Sequence, residues 1–171
     1  MRSGTDEFED IVRNYQENIY SLVFSFVRNE PDTDEIVQKT FVNAFKNFGK
    51  FRKEASLKTW LMKIAVNNVK NYFRKKKFFS LFFISNDGKE IEPKDIKQNL
   101  EEKVQSSMTE IILNEAIEKL PARQKEVFVM KHLQGMTISE ISKVLRITEG
   151  SVKANIFKAV MNLRKNLVKI L

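Results

Sequence analysis

Apolar side chains recur at helical spacing along most of the chain. From about Asp6 to Arg28 the repeat is Phe8, Ile11, Val12, Tyr15, Ile19, Leu22, Val23 and Phe26, the pattern of an amphipathic helix. Asn29-Glu30-Pro31 breaks it, and the proline suits the first turn of a second helix. That helix carries Ile36, Val37, Phe41, Ala44, Phe45 and Phe48 on one stripe, and Gly49 ends it. Ser56 is placed to cap a third helix bearing Leu57, Trp60, Leu61, Ile64, Ala65, Val69, Tyr72 and Phe73. These segments predict an N-terminal helical bundle over residues 1–77. The periodicity fails over 78–107, where Asn86-Asp87-Gly88 is a turn signal and Pro93 a breaker, so a flexible linker is predicted.

Periodicity resumes at about Met108 with Ile111, Ile112, Ala116, Ile117 and Leu120. Pro121 interrupts it, and Val127, Phe128, Met130 and Leu133 lead to Gly135. Thr137-Ile-Ser-Glu140 then has capping-box spacing, in which each side chain satisfies the other end's free backbone N–H. The helix it opens, Ile138 to Leu145, is short. A turn at Arg146-Ile147-Thr148 leads to a last helix with Val152, Ile156, Val160, Leu163 and Leu167 inward. A short helix, a tight turn and a longer basic helix make a helix-turn-helix domain over 108–171, and the fold class is all-α. With those residues inward, Ser151, Lys153, Ala154, Asn155, Phe157 and Lys158 face outward or sideways. Lysine suits phosphate or a guanine edge, asparagine suits adenine, and Arg164 and Lys165 further along suit phosphate.

Composition agrees with helices: five Gly and three Pro in 171 residues leave little material for tight sheet turns. The net charge is +8 and it is patchy. Residues 1–57 are net −2, residues 58–77 hold seven cations and no acid, 78–108 are net −2, and 109–171 are net +5. Two basic zones suggest contact with a polyanion at two places. The first of them interleaves Trp60, Lys63, Lys70, Tyr72, Phe73 and Arg74 with Asn67, Asn68 and Asn71. Aromatics stack on exposed bases and amides bond base edges, although Trp60, Ile64 and Tyr72 also sit on a core stripe and the asparagines could be simply solvated. There is no cysteine and one histidine, His132, which excludes disulfides and thiolate chemistry and leaves no acid–base dyad, phosphate loop or metal cluster. No enzyme activity, cofactor or metal, and no small-molecule substrate, is therefore expected. No secretory leader or membrane insertion is expected either, and the expected location is cytoplasmic.

At this point the residues resemble a known family. Asp32-Thr-Asp-Glu-Ile-Val-Gln38-Lys-Thr-Phe41 resembles the polymerase-binding helix of bacterial sigma factors. Thr59-Trp-Leu-Met-Lys-Ile-Ala-Val-Asn67-Asn-Val-Lys-Asn71-Tyr-Phe-Arg74 is similar to the family segment that reads the promoter minus-ten element. Leu120 to Phe128, Gly135 to Ile141 and Thr148 to Lys153 resemble the region that reads minus-thirty-five. Order, spacing and size match the extracytoplasmic-function (ECF) type. The resemblance implies sigma region 2 over 1–77, region 4 over 108–171, and a transcription initiation factor that binds core RNA polymerase and promoter DNA and helps open it. It implies polymerase docking through Glu35, Ile36, Gln38 and Asn43. It implies minus-ten contacts from Phe51, Trp60, Lys63, Asn67, Lys70, Asn71 and Arg74, with 51–57 forming the loop that captures a flipped base. Minus-thirty-five contacts fall on Ser151, Lys153, Ala154, Asn155, Phe157, Lys158 and Arg164. Lys39, Ala154, Asn155 and Val160 depart from residues frequent in the family. An anti-sigma factor is an expected partner. The alternative is a helix-turn-helix regulator that acts without polymerase and uses its N-terminal bundle for dimerisation or sensing. Phe78 to Ile84, apolar at five of its first six positions, is expected to pack on the bundle; otherwise it anchors the second domain or an inhibitor.

Overall fold

The computed structural model describes the backbone of residues 4–87 and 108–170, and the side chains of residues 7–78 and 110–169. All regular structure among them is helical. Helix α1 (Gly4–Val27) ends where Arg28 turns left-handed, with φ of 56°, while its N–H still reaches the Phe24 carbonyl at 3.0 Å. Helix α2 (Glu30–Asn47) starts on Asn29, whose side chain accepts from the Asp32 N–H at 2.9 Å. A 3-10 turn, Phe48–Lys50, closes α2 at the expected glycine. Ser56 caps α3 (Leu57–Asp87) by accepting from the Thr59 N–H at 3.1 Å.

Helix α3 runs ten residues beyond the end predicted for it at residue 77. Nothing from Lys75 to Ser85 is a helix breaker, and the first strong turn signal is Asn86-Asp87-Gly88. The Phe-rich run is thus helical in backbone. Phe78, its first residue, is 66% exposed. The side chains of 79–84 and the acidic stretch 88–107 lie outside the described residues.

In the C-terminal half, α4 (Met108–Glu118) is followed at Pro121 by α5 (Ala122–Phe128) and then by a π-helical turn, Val129–Leu133, that sequence periodicity does not reveal. The turn stops at Gly135, which sits at φ 63°. Helix α6 (Ile138–Leu145) carries the full capping box: the Glu140 N–H donates to Thr137 Oγ1 at 3.2 Å and the Thr137 N–H donates to Glu140 Oε2 at 2.8 Å. Arg146 makes the left-handed turn, φ 55°, and α7 (Glu149–Ile170) begins with the Ser151 N–H donating to Thr148 Oγ1 at 3.1 Å.

Helices α1, α2 and α3 pack on one another around Ile19, Leu22, Val23, Leu61, Met62 and Val66, all fully buried. Helices α4 to α7 close over Ile117, Val127, Val129, Met130, Ile141 and Val152. The halves also touch: α6 lies against α3, and the π-helical turn against α1. Among the described residues no helix is long and apolar enough to cross a membrane.

Candidate nucleic-acid interface

Helix α3 presents one polar stripe. Lys63, Asn67, Lys70, Asn71 and Arg74 recur at spacings of three and four, so they share a face, and all are partly or fully exposed. Arg74 donates to Asn71 Oδ1 at 3.1 Å. Asn68 is not part of that face. It is only 6% exposed, it donates to Thr40 Oγ1 at 3.1 Å and it accepts from Asn43 Nδ2 at 3.2 Å. Of the three asparagines, then, one is a buried clasp between α2 and α3 and two are available to a ligand. Tyr72 is likewise structural, donating to Asp32 at 2.7 Å.

At the N-terminal end of α3 the stripe meets an aromatic corner. Phe51 and Trp60 have ring centroids 5.0 Å apart, and Phe48 lies 6.5 Å from Trp60. A concavity of about 210 Å3 opens there, lined by Phe51 and Trp60 and by the cations Lys50, Arg52, Lys63 and, from α6, Lys143. Glu54 is the one acid in its lining. A half-exposed aromatic pair ringed by cations suits a base with its phosphates. Lys143 joins this site only through tertiary packing, eighty residues away in the chain. No local sequence signal could have placed it there.

Helix α2 turns Glu35, Gln38, Lys39, Val42, Phe45 and Lys46 outward on one face. Ile36, expected to touch a partner, is 4% exposed and belongs to the core. Asn43 is half-buried and engaged with Asn68. Phe45, placed on the core stripe by periodicity, is instead 53% exposed at the bundle edge, its ring 5.1 Å from that of Phe8. The 3.6-residue stripe is wide enough that its edge residues fall on either side. Together with Val42, Phe45 makes the exposed face of α2 partly apolar.

On α7, Lys153, Ala154, Phe157, Lys158 and Arg164 are exposed, while Ser151 and Asn155 are half-buried. Asn155 Nδ2 donates back to the Ser151 carbonyl at 2.8 Å. Phe157 is 67% exposed, with Lys153 one helical turn before it and Lys158 next to it in the chain. The capping box holds α6, and hence the turn into α7, in place. Hydrogen bonding from the Thr137 backbone, partly offset by burial, holds the Glu140 carboxyl below its ordinary 4.5.

Comparison with known proteins follows this geometry. Residues 11–79 match Sigma-70 region 2, and residues 110–163 match Sigma-70, region 4. The chain is 29% identical to the ECF RNA polymerase sigma factor SigW of Bacillus subtilis, over 97% of this chain and 91% of that one. It is 28% identical to the ECF RNA polymerase sigma-E factor of Haemophilus influenzae, over 89% of this chain and 82% of that one. Its fold resembles that of the sigma factor RpoE solved in complex with the anti-sigma factor NepR from Bartonella quintana, with a TM-score of 0.74, 19% identity, and 96% and 98% of the two chains covered. Two regions of one family, in order on a helical scaffold, define a transcription initiation factor. The chain belongs to the sigma-70 family, as a sigma factor of the ECF type.

Proposed function

We propose that the two halves of this initiation factor divide the work of promoter recognition, with residues 1–77 serving polymerase and the minus-ten element and 108–171 serving minus-thirty-five. The exposed face of α2 (Glu35, Gln38, Lys39, Val42 and Phe45) docks core RNA polymerase. Ile36 and Asn43 act from behind it by fixing the helix. The α3 stripe tracks the displaced strand, with Lys63, Lys70 and Arg74 on phosphates and Asn67 and Asn71 on base edges. A base leaving the stack enters the Phe51–Trp60 corner, where aromatic contact offsets an unstacking cost of a few kcal/mol. Exposed residues of α7 enter the major groove, with Lys153 and Lys158 on phosphate or guanine and Phe157 on a methyl.

The observation that carries this reading is the single exposed cation-and-amide stripe of α3 running into an aromatic, cation-lined concavity. The chain performs no bond chemistry of its own in this scheme, acts in the cytoplasm with polymerase, and is held by an anti-sigma partner. The test is direct. The purified chain is mixed with core polymerase and assayed by gel filtration and by run-off transcription on promoters mapped from transcript 5′ ends after overexpression. Co-elution with promoter-specific run-off supports the reading. Tight duplex binding by the chain alone, without association with core enzyme, would establish the polymerase-independent regulator instead.

A further inference from the structure

Past Tyr72, helix α3 leaves the bundle. Phe73, Arg74, Lys75, Lys76, Lys77 and Phe78 are all exposed, the two phenylalanines at 42% and 66%. Consecutive residues of that number sweep more than a full turn, so here the helix is open to solvent on every face and has no core stripe. The backbone nevertheless stays helical to Asp87. Charge and hydropathy are ordered along the helix axis here, not by face. Arg74 to Lys77 form a ring of cations, and no acidic residue stands between Glu54 and Asp87. Directly after the ring come Phe78, Phe79, Leu81, Phe82, Phe83 and Ile84, interrupted only by Ser80. At about 100° per residue these positions are distributed around the whole circumference. A helix that is apolar all round is stable only when covered on all sides, and the flank of a helical bundle covers one.

We infer that this projecting end of α3 is a membrane-surface anchor: Arg74 to Lys77 take an anionic headgroup layer, and the apolar band seats at the headgroup–acyl boundary. From Phe78 to Ile84 the band is about 10 Å long at 1.5 Å per residue. That is far short of a hydrocarbon core of about 30 Å and similar to the depth of about 5–10 Å reached by interfacial helices. The attachment is therefore to one face of a bilayer, and Ser85-Asn86-Asp87-Gly88 returns the chain to water. Stable anchoring without a spanning helix takes two signals, and here they are charge and apolar burial. Charge complementarity selects the occupant. A second copy docked through the band would bring two like cation rings together, whereas anionic headgroups neutralise the ring. Nucleic acid matches the cations but offers no hydrocarbon to the band.

The chain has no cysteine, so Ser80→Cys takes a single environment-sensitive NBD dye within the band, and Arg13→Cys, exposed on α1, takes a reference dye. The full-length chain is titrated with vesicles of phosphatidylcholine alone or with about 30% phosphatidylglycerol, and the bound fraction is read by flotation. The expected result is flotation with the anionic vesicles only, with a blue-shifted, brighter dye at position 80 and an unchanged one at position 13. Arg74 also belongs to the stripe given to the promoter strand, so it is left in place. Each cation at an anionic surface strengthens binding about fivefold, so Lys75→Gln/Lys76→Gln/Lys77→Gln should weaken it about a hundredfold. Lys119→Gln/Lys165→Gln/Lys169→Gln removes the same charge from other exposed sites and should leave it nearly unchanged. Phe79→Ser/Phe82→Ser/Phe83→Ser, with wild-type far-UV circular dichroism, should lose flotation while keeping every lysine. No flotation, flotation without a dye shift at position 80, or equal weakening by both lysine variants overturns the anchor. So does a dye at position 80 that is already blue-shifted and unmoved by vesicles, which would place the band within the protein or between copies. A shift produced by a single-stranded oligonucleotide and not by vesicles would assign the segment to nucleic acid instead.

Discussion

The buried clasp between α2 and α3 gives a prediction that can be worked through in numbers. Thr40 Oγ1, fully buried, donates to the Ile36 carbonyl at 2.7 Å and accepts from Asn68 at 3.1 Å. Asn68 in turn accepts from the half-buried Asn43 at 3.2 Å. Thr40→Val keeps the volume but strands the Asn68 amide, which costs about 2 kcal/mol. Asn68→Leu removes two bonds but leaves the Thr40 hydroxyl satisfied by Ile36 and lets Asn43 turn to water, a loss of about 1 kcal/mol. In the double variant both partners are apolar and no amide is stranded, so the total falls to about 1 kcal/mol. The non-additivity is then about 2 kcal/mol, near the middle of the range for residues in direct contact. Trp60 is the only tryptophan and packs at the end of α3, so its fluorescence in urea reports unfolding of this half. For a cooperative unit of this size a loss of about 2 kcal/mol in Thr40→Val lowers the Tm by about 8–16 °C. If the two single losses simply add, to within about 0.5 kcal/mol, the clasp is not a coupled unit and α2 is positioned on α3 by apolar packing alone.

Other outcomes follow from the same structure. Lys153→Ala should weaken promoter binding across sequences and reduce the slope of log affinity against log salt by about 1; an unchanged slope in a salt titration would place Lys153 away from phosphate. Arg146→Gly relieves a left-handed conformation that an L side chain adopts at a cost, so the Tm should rise by about 1–4 °C; a fall would mean that the arginine side chain contributes contacts outweighing the strain. The Glu140 carboxyl is depressed below 4.5 in the folded chain. Its contribution is therefore complete above that value and is lost as pH falls through the lower folded value. Urea midpoints measured between about pH 5 and pH 3 should fall more steeply for the wild type than for Glu140→Gln; parallel curves would contradict this.

Much of this architecture was legible in short-range pattern. Ser56 and the Thr137–Glu140 box marked two helix starts because capping chemistry acts over three residues. Arg146 marks the turn of the helix-turn-helix only by its neighbours, since arginine is no signal for a left-handed residue. Periodicity faded near residue 77 because four cations precede a phenylalanine run, yet without a breaker the helix continued to Asp87. Ile36 lies in the core as the apolar stripe placed it, and the resemblance alone assigned it a partner contact, whereas Phe45 of the same stripe stays 53% exposed at the bundle edge. Asn68 and Asn67 are adjacent and chemically identical, but a single step around the helix takes one into the core and leaves the other in solvent. The approach of Glu126, Glu140 and Lys143 to α3 is tertiary, and nothing in the local sequence around any of them announces it.

The claim at the centre of this account is that the chain grips a promoter at two places through two different surfaces. Permanganate footprinting of the holoenzyme on a mapped cognate promoter, which marks unstacked thymines, tests it most directly. With wild-type chain, thymines around minus-ten should become reactive. Trp60→Ala should abolish that reactivity while polymerase remains bound and minus-thirty-five stays protected from DNase. Lys153→Ala/Lys158→Ala should lose the minus-thirty-five protection and keep the opening once complexes are formed at high enzyme. If Trp60→Ala opens the promoter as the wild type does, or if both variants lose the two signals together, the division of labour drawn from α3 and α7 is wrong.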